Sequence, residues 1–423
     1  MNLYLFNAND SAATYGIGTY LGELSQALAG AEIKIYIVHL HSVRPEFAVR
    51  RASASLTGQG SPADNVEHWY VPEVRNLNTF SGSIQKVEAY YRNVTYLLRL
   101  HIKDIKNLVF HFNYNQCQFL VKELNAAFDC KTVVTVHFMK WSLALNGSLA
   151  RMQAIKKKTE SQRSTFEQLL YDTGEYECLL YKETEHIIAL SQYMKTFLCS
   201  EYLLDPEKVT VIPNGLEDIN PSFKTDKGAL RKKWHISEKE LIILFVGRLH
   251  FAKGLLFLIR SFRKVLNHIP DCRLLIVGGG QYDAFIQEAK DISTKVTFTG
   301  LLEKKDLCDI YQIADAGVTP SLFETFGYVA AEMMMHGIPM ITTSASGLGE
   351  LTEDGISSLQ VPVIAHPEHT EIDTDLLAEK MLFLLQNPEE RKRLGVNARK
   401  RYEDNYSSEI FRKNMLNFYN SLL

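Results

Sequence analysis

Two carboxylates, Glu324 and Glu332, stand with seven residues between them in TPSLFETFGYVAAEMMMHGIPMI, residues 319–341. A loop containing Gly327 leads into an apolar helix that begins near Phe326–Gly327. A helix N-terminus offers unpaired N–H groups and the positive end of the helix dipole, so its natural ligand is an anion such as phosphate. Gly327 lets that backbone come close to a ligand. Glu332 lies five residues into the helix, roughly 7–8 Å along its axis at 1.5 Å per residue. That is about the reach from a phosphate to the ribose of the same nucleotide, so Glu332 can accept hydrogen bonds from two ribose hydroxyls. Glu324, ahead of the helix, can accept from the hydroxyls of a sugar on the far side of a diphosphate. On this reading the acids flank the anion and recognise neutral hydroxyls on either side. The plain alternative for Glu324 is an acid complementing the helix dipole. The corresponding alternative for Glu332 is weaker, because its neighbours are nearly all apolar and an unpaired acid is rarely buried.

Cations are supplied by FVGRLHFAKG, in which a buried strand ends at Gly247 and Arg248 and Lys253 follow. In open α/β sheets ligands bind at the carboxyl ends of the strands. An Arg fork and a Lys point charge placed there can hold a diphosphate; the alternative is two solvated bases opening a helix. Asp373 and Asp375 form an Asp-x-Asp of the kind a metal-dependent transferase uses at a strand end, but they precede an amphipathic helix and read as its cap. VGGGQYD lacks the spacing of a dinucleotide fingerprint, since Asp283 occupies the place of the last glycine.

These segments together resemble the family 4 glycosyltransferases: Glu324-x7-Glu332, GRLHFAKG upstream and VIPNGLE before that. The resemblance is strongest from about Val209 to Val361 and includes SASGLGELTEDGISSL. It is looser in the first half, through YGIGTYLGEL, VFHFN and VVTVH. It implies a retaining hexosyltransferase of GT-B fold, two Rossmann-like doubly wound domains with a cleft between them and a C-terminal helix crossing back. Arg248 and Lys253 would bind the donor diphosphate, and Glu324 would hold the donor sugar. Phe326, Gly327 and Tyr328 would offer backbone N–H groups, and Glu332 would bind the ribose. Gly278 to Gly280 and Leu301 would lie at the base pocket. Gly16 and Gly18 would form a loop facing the diphosphate, and His137 would sit beside the sugar, unless it is a strand-end histidine; His111 reads as structural. The nucleotide sugar, by default a UDP-sugar, is a co-substrate, and neither cofactor nor metal is implied. The acceptor is left open among glycan, lipid-linked, peptide and small-molecule hydroxyls. A rival reading is a catalytically silent nucleotide-sugar-binding partner of another transferase. In two places the chain departs from the family pattern: GIG carries an Ile where a tighter glycine pair is frequent, and VVTVHFMKW lacks the acid often found after the His.

The elements that must position these groups are legible as patterns. Near-continuous Val/Ile/Leu runs alternate with amphipathic stretches, as in parallel sheets buried on both faces. A chain of 423 residues fits two domains, placed at residues 1–205 and 206–405, with the last helix, about 406–423, returning to the first. Residues 141–181 read as helices and loops decorating the first domain. A net charge of −3 gives no electrostatic case for nucleic acid. The six cysteines are scattered, which excludes a Cys-x-x-Cys metal knuckle. Neither a signal peptide nor an apolar run of about 18 residues is found, so a cytoplasmic protein is expected. Lys156–Lys158 allows a weak contact with anionic lipid, although a solvated helix face is the simpler account.

Overall fold

The computed structural model describes residues 1–8, 16–44, 46–51, 66–73, 84–219, 226–366 and 369–423. The chain divides into two compact units. Unit 1 comprises Met1–Met139, Leu169–Gly215 and Ser408–Leu423, and unit 2 comprises Lys140–Gln168 and Leu216–Ser407. Residues 140–168 thus belong to the second unit, not to the first as their position in the chain suggests. They contain few apolar runs of their own and are placed by tertiary contact, which no periodicity encodes.

Unit 1 is built on an eight-stranded sheet of order β3-β4-β2-β1-β5-β6-β7-β8. Its strands are β1 (Asn2–Asn7), β2 (Lys34–Ser42), β3 (Ala48–Arg51), β4 (Val66–Pro72), β5 (Leu108–Phe112), β6 (Cys130–Val136), β7 (His186–Ala189) and β8 (Val209–Val211). All neighbours run parallel except β3, which pairs antiparallel with β4 at the edge. β1 and β5 are buried along their full lengths, the burial expected of strands covered on both faces. The C-terminal helix Ser408–Ser421 joins this unit. There the Tyr419 hydroxyl lies 2.7 Å from Nδ1 of His111, whose Nε2 lies 2.7 Å from Thr135 Oγ1. His111 is therefore structural: both ring nitrogens are spent inside the core.

Unit 2 holds a six-stranded, fully parallel sheet of order β11-β10-β9-β12-β13-β14. Its strands are β9 (Leu241–Val246), β10 (Cys272–Val277), β11 (Val296–Gly300), β12 (Ala316–Thr319), β13 (Met340–Thr343) and β14 (Leu359–Val361). By position within the unit this is the order 3-2-1-4-5-6 of a doubly wound dinucleotide-type fold. The direction of winding reverses between β9 and β12, and ligands of such sheets bind at the carboxyl side of that reversal. The helix Leu255–Leu266 covers one face with Leu255, Leu258, Ile259, Phe262 and Val265, all without solvent exposure. A separate antiparallel ribbon, β15 (Val363–Ala365) and β16 (Thr370–Ile372), follows β14. The helix Thr374–Gln386 is capped by Asp373, whose carboxylate accepts from the N–H groups of Asp375 and Leu376. The Asp-x-Asp is a helix cap, as its context indicates. Among the described residues no helix is long and apolar enough to cross a membrane.

Burial pushes the His111 imidazole down to about 3. Above the ordinary value of 6.5 the ring is neutral in both folded and unfolded chain. Below it, the unfolded chain takes up a proton that the folded chain refuses, so stability is lost as pH falls from 6.5 toward 3. The loss approaches about 1.4 kcal/mol per pH unit for each such histidine. Urea unfolding should therefore show a lower midpoint at pH 5 than at pH 7, and His111→Asn should flatten that dependence whatever it does to the midpoint itself.

Candidate functional site

Gly254 is the joint on which the unit 2 site turns. Its φ of 69° is left-handed, and a Cβ there would fall 1.8 Å from the carbonyl oxygen of Pro320. No other residue type allows that approach without moving the backbone. The segment after β9 is thereby pressed against the loop after β12, and the Leu322 N–H donates to the Ala252 carbonyl at 2.8 Å. The loop is also strapped on its other side. Thr343 Oγ1 donates to the Ser321 carbonyl, Ser346 Oγ accepts from the Glu324 N–H at 2.8 Å, and the Gly347 N–H donates to the Glu324 carbonyl at 2.9 Å.

Within this frame Lys253 and Glu324 meet. Lys253 Nζ lies 2.5 Å from Glu324 Oε1, which also accepts from Ser321 Oγ at 2.9 Å. Arg248 is exposed at the carboxyl end of β9. Together the positive charges of Arg248 and Lys253 help hold the intervening His250 below its ordinary value, after burial as the larger cause. Gly327, at φ 110°, caps the helix Tyr328–Met335. The backbone N–H groups of Phe326 and Gly327 find no acceptor among the described residues. The Phe326 ring is buried and packs edge-on to Tyr328. One cation, one acid and a helix mouth thus share the edge where β9 and β12 end.

Glu332 projects from the same helix, a turn and a half further on. Burial raises its carboxyl above the usual range, while the Tyr311 hydroxyl, donating to Oε2 at 2.6 Å, and Lys304 pull it back. Its other oxygen has no partner among the described residues. The second strap of the sheet edge runs through Gly278, where a Cβ would fall 1.8 Å from the Gly247 carbonyl oxygen. Tyr282 donates its hydroxyl to the Gly278 carbonyl at 2.9 Å. Leu301 is 65% exposed and lies over Gly279, an apolar surface of the kind a base can rest on.

The remaining expectations lie in unit 1. Gly16 and Gly18 belong to the first turn of the helix Gly16–Ala27, not to a loop; residues 9–15, before it, lie outside the described residues. His137 follows β6, bonds through Nε2 to Asn113 Oδ1 at 3.0 Å and meets the Tyr20 ring edge-on at 4.5 Å. Burial pushes it down to about 3, so it is neutral near pH 7. Lys156 and Lys157 end the helix Leu149–Lys157, and Lys158 pairs with Glu167 at 2.5 Å.

Sequence reasoning did not single out Ser321, Ser346 or Tyr311. Ser321 stands next to the motif and could have been found. The other two reach the acids from distant elements, and no local spacing announces them. Nor did it anticipate that Trp141, almost fully buried, packs edge-on to Phe323 at 5.4 Å. A Cβ on Gly147 would come within 2.8 Å of the Phe323 Cβ, so this segment bears directly on the residue before Glu324.

Two sequence profiles match the chain: one described as Glycosyltransferase Family 4 over residues 14–218, and one described as Glycosyl transferases group 1 over residues 226–401. An uncharacterized glycosyltransferase of Methanocaldococcus jannaschii is 31% identical over 56% of this chain and 60% of the relative. A D-inositol 3-phosphate glycosyltransferase of Rhodococcus jostii is 28% identical over 52% and 51%. The chain therefore spans between half and three fifths of the length of these relatives. In architecture it is similar to a sucrose-phosphate synthase from Thermosynechococcus elongatus, with a TM-score of 0.74, 20% identity and coverage of 100% and 98%. Anabaena HepE in complex with UDP and glucose gives 0.70 at 15% identity, covering 99% of each chain.

The geometry separates a structural glycine from an ionic pair. The Lys253–Glu324 pair keeps about a quarter of each side chain in solvent, which limits its worth to about 1 kcal/mol. Lys253→Ala should therefore leave the unfolding midpoint nearly unchanged. Gly254→Ala, driven against Pro320, should cost about 2 kcal/mol or more in the same denaturation experiment.

Proposed function

The chain belongs to the family 4 glycosyltransferases and has their GT-B fold, and from that premise we propose that it moves a hexosyl group from a nucleotide-sugar donor to an acceptor hydroxyl with retention of configuration. The observation that carries the proposal is the convergence of Lys253, Glu324 and the open N-terminus of the helix Tyr328–Met335 on one strand edge. Arg248 and Lys253 receive the donor diphosphate, joined by the N–H groups of Phe326 and Gly327. The charge that grows on the leaving diphosphate meets groups already in place, and such preorganisation is what lowers a barrier. Glu332 takes the ribose hydroxyls with the oxygen that Tyr311 leaves open. UDP is the proposed nucleotide, in keeping with a neighbour of the same fold solved with UDP and glucose.

In the pair seen here, Lys253 holds Glu324. When a diphosphate draws the ammonium group away, the carboxylate is released toward the hydroxyls of the sugar attached to it. In the transfer step the bond from the anomeric carbon to the β-phosphate oxygen breaks. The acceptor oxygen bonds to that carbon from the same face, and the acceptor proton passes to the departing phosphate oxygen. No carboxylate nucleophile is required, and Glu324 serves to position the sugar. His137 is proposed as a further functional residue, to be tested by His137→Ala. The site of action is proposed to be the cytoplasm.

A thermal-shift screen across nucleotide sugars identifies the donor, since a ligand that binds only the folded chain raises its midpoint. With that donor, Glu324→Gln should lower kcat by about 100-fold or more while UDP affinity holds within a few-fold. Glu332→Gln should instead weaken UDP about 10-fold or more, the worth of a hydrogen bond to a charged group. Activity of Glu324→Gln close to wild type at saturating donor would remove its assigned role.

A further inference from the structure

The ribbon β15–β16 presents a group of side chains that the transfer reaction does not use. Its register pairs Val363 with Ile372, Ile364 with Glu371 and Ala365 with Thr370, and the His366 N–H donates to the His369 carbonyl at 2.8 Å. Side chains alternate between the faces of a strand. One face therefore carries Val363, Ala365, Thr370 and Ile372; of these, Ile372 is buried in the core of unit 2 and Val363 packs against it. The other face carries His366, His369 and Glu371, half-buried to exposed. The ribbon is fixed from behind, and three ligating groups are held in front.

These three groups converge. His366 Nε2 is 2.9 Å from Glu371 Oε1, and His369 Nε2 is 3.6 Å from Glu371 Oε2. The two imidazoles stack with centroids 4.4 Å apart and planes 17° from parallel. One ligand atom from each residue falls within 4.8 Å of the others. Ligands at about 2.0–2.2 Å from a common ion lie no more than about 4.4 Å from each other, so small rotations of exposed side chains suffice to close the shell. Two imidazoles and one carboxylate form a donor set for borderline divalent ions, Zn2+, Cu2+ or Ni2+, and not for Mg2+ or Ca2+, which prefer oxygen.

We propose that His366, His369 and Glu371 form a transition-metal site on the ribbon β15–β16, with water completing the coordination. The ion is bound by neutral imidazole nitrogens and an ionised carboxylate, so protons compete with it for these ligands. The site stands apart from Arg248, Lys253, Glu324 and Glu332 in its residues and its chemistry. It acts as a clip on the two strands and leaves the proposed transfer chemistry alone, so the proposal does not depend on the donor reading.

The test uses the full chain with no polyhistidine tag. Isothermal titration with Zn2+ should show an equivalent of micromolar affinity that His366→Ala/His369→Ala removes and Glu371→Gln weakens by about tenfold or more. With Cu2+, electron paramagnetic resonance should show nitrogen coupling from two imidazoles in the wild type and none of that pattern in the double variant. The metal-free variants should unfold at the wild-type midpoint, because the altered face is the solvent face. Equal Zn2+ stoichiometry and affinity in wild type and double variant would overturn the proposal, since the ion would then sit on other groups such as the partly exposed thiols of Cys178 or Cys308. Failure of the wild type to bind Zn2+ at about 100 μM would overturn it as well.

Discussion

The contact between Gly254 and Pro320 is the constraint from which the geometry at the β9–β12 edge follows. Parallel order places β9 and β12 next to each other, so the chain leaving each strand emerges at the same edge. Adjacency alone would leave two loops free to drift. The missing Cβ at Gly254 lets them touch backbone to backbone, and the Leu322–Ala252 hydrogen bond locks the touch. Lys253 precedes the glycine by one residue and Glu324 follows Leu322 by two. The charged groups therefore inherit the precision of the backbone joint beside them. Irregular backbone is a poor scaffold unless its polar groups are satisfied. Here Thr343, Ser346 and Gly347 supply the partners.

The same frame resolves the electrostatic puzzle of placing acids around a helix mouth. Glu324 is compensated by Lys253, so the local charge before the helix is close to neutral, and the dipole end and Arg248 still favour an anion. Glu332 lies past the first turn, where the dipole has weakened, and its cost of burial is offset by the Tyr311 hydroxyl and by Lys304. Neither acid confronts the anion site as a bare charge. Each is held through one carboxylate oxygen, Oε1 of Glu324 and Oε2 of Glu332, and the other oxygen has room for a ligand hydroxyl.

Much of this was legible in the sequence, for reasons specific to each element. Strands such as β5 and β9 are continuous apolar runs because both of their faces are covered. Glu332 stood out because an acid among Ala and Met is anomalous in any fold. β4 was not recognised. Its residues Glu67, His68 and Tyr70 interrupt the apolar pattern, since it lies next to the edge strand β3. β14, β15 and β16 span three residues each, too few to show a period. Gly16 and Gly18 form a loop only by resemblance to the family, yet here they open the helix Gly16–Ala27. The convergence of His366, His369 and Glu371 depends on strand register, which a polar stretch of sequence does not disclose.

Residues 140–168 show most clearly where linear reading stops. They look like an insertion of the first half, yet their contacts place them in the second unit. Trp141 and Gly147 seat on Phe323 and on the Leu322 carbonyl, the backbone that carries Glu324. A loop already strapped by Ala252 on one side and Ser346 on the other thus has a third support. Packed interiors transmit displacement instead of absorbing it. A change in volume at Trp141 or Gly147 therefore bears on Phe323, and the next side chain along is Glu324. Substitutions in residues 140–168 can accordingly reach Glu324 through the backbone of Phe323, without changing any charged group.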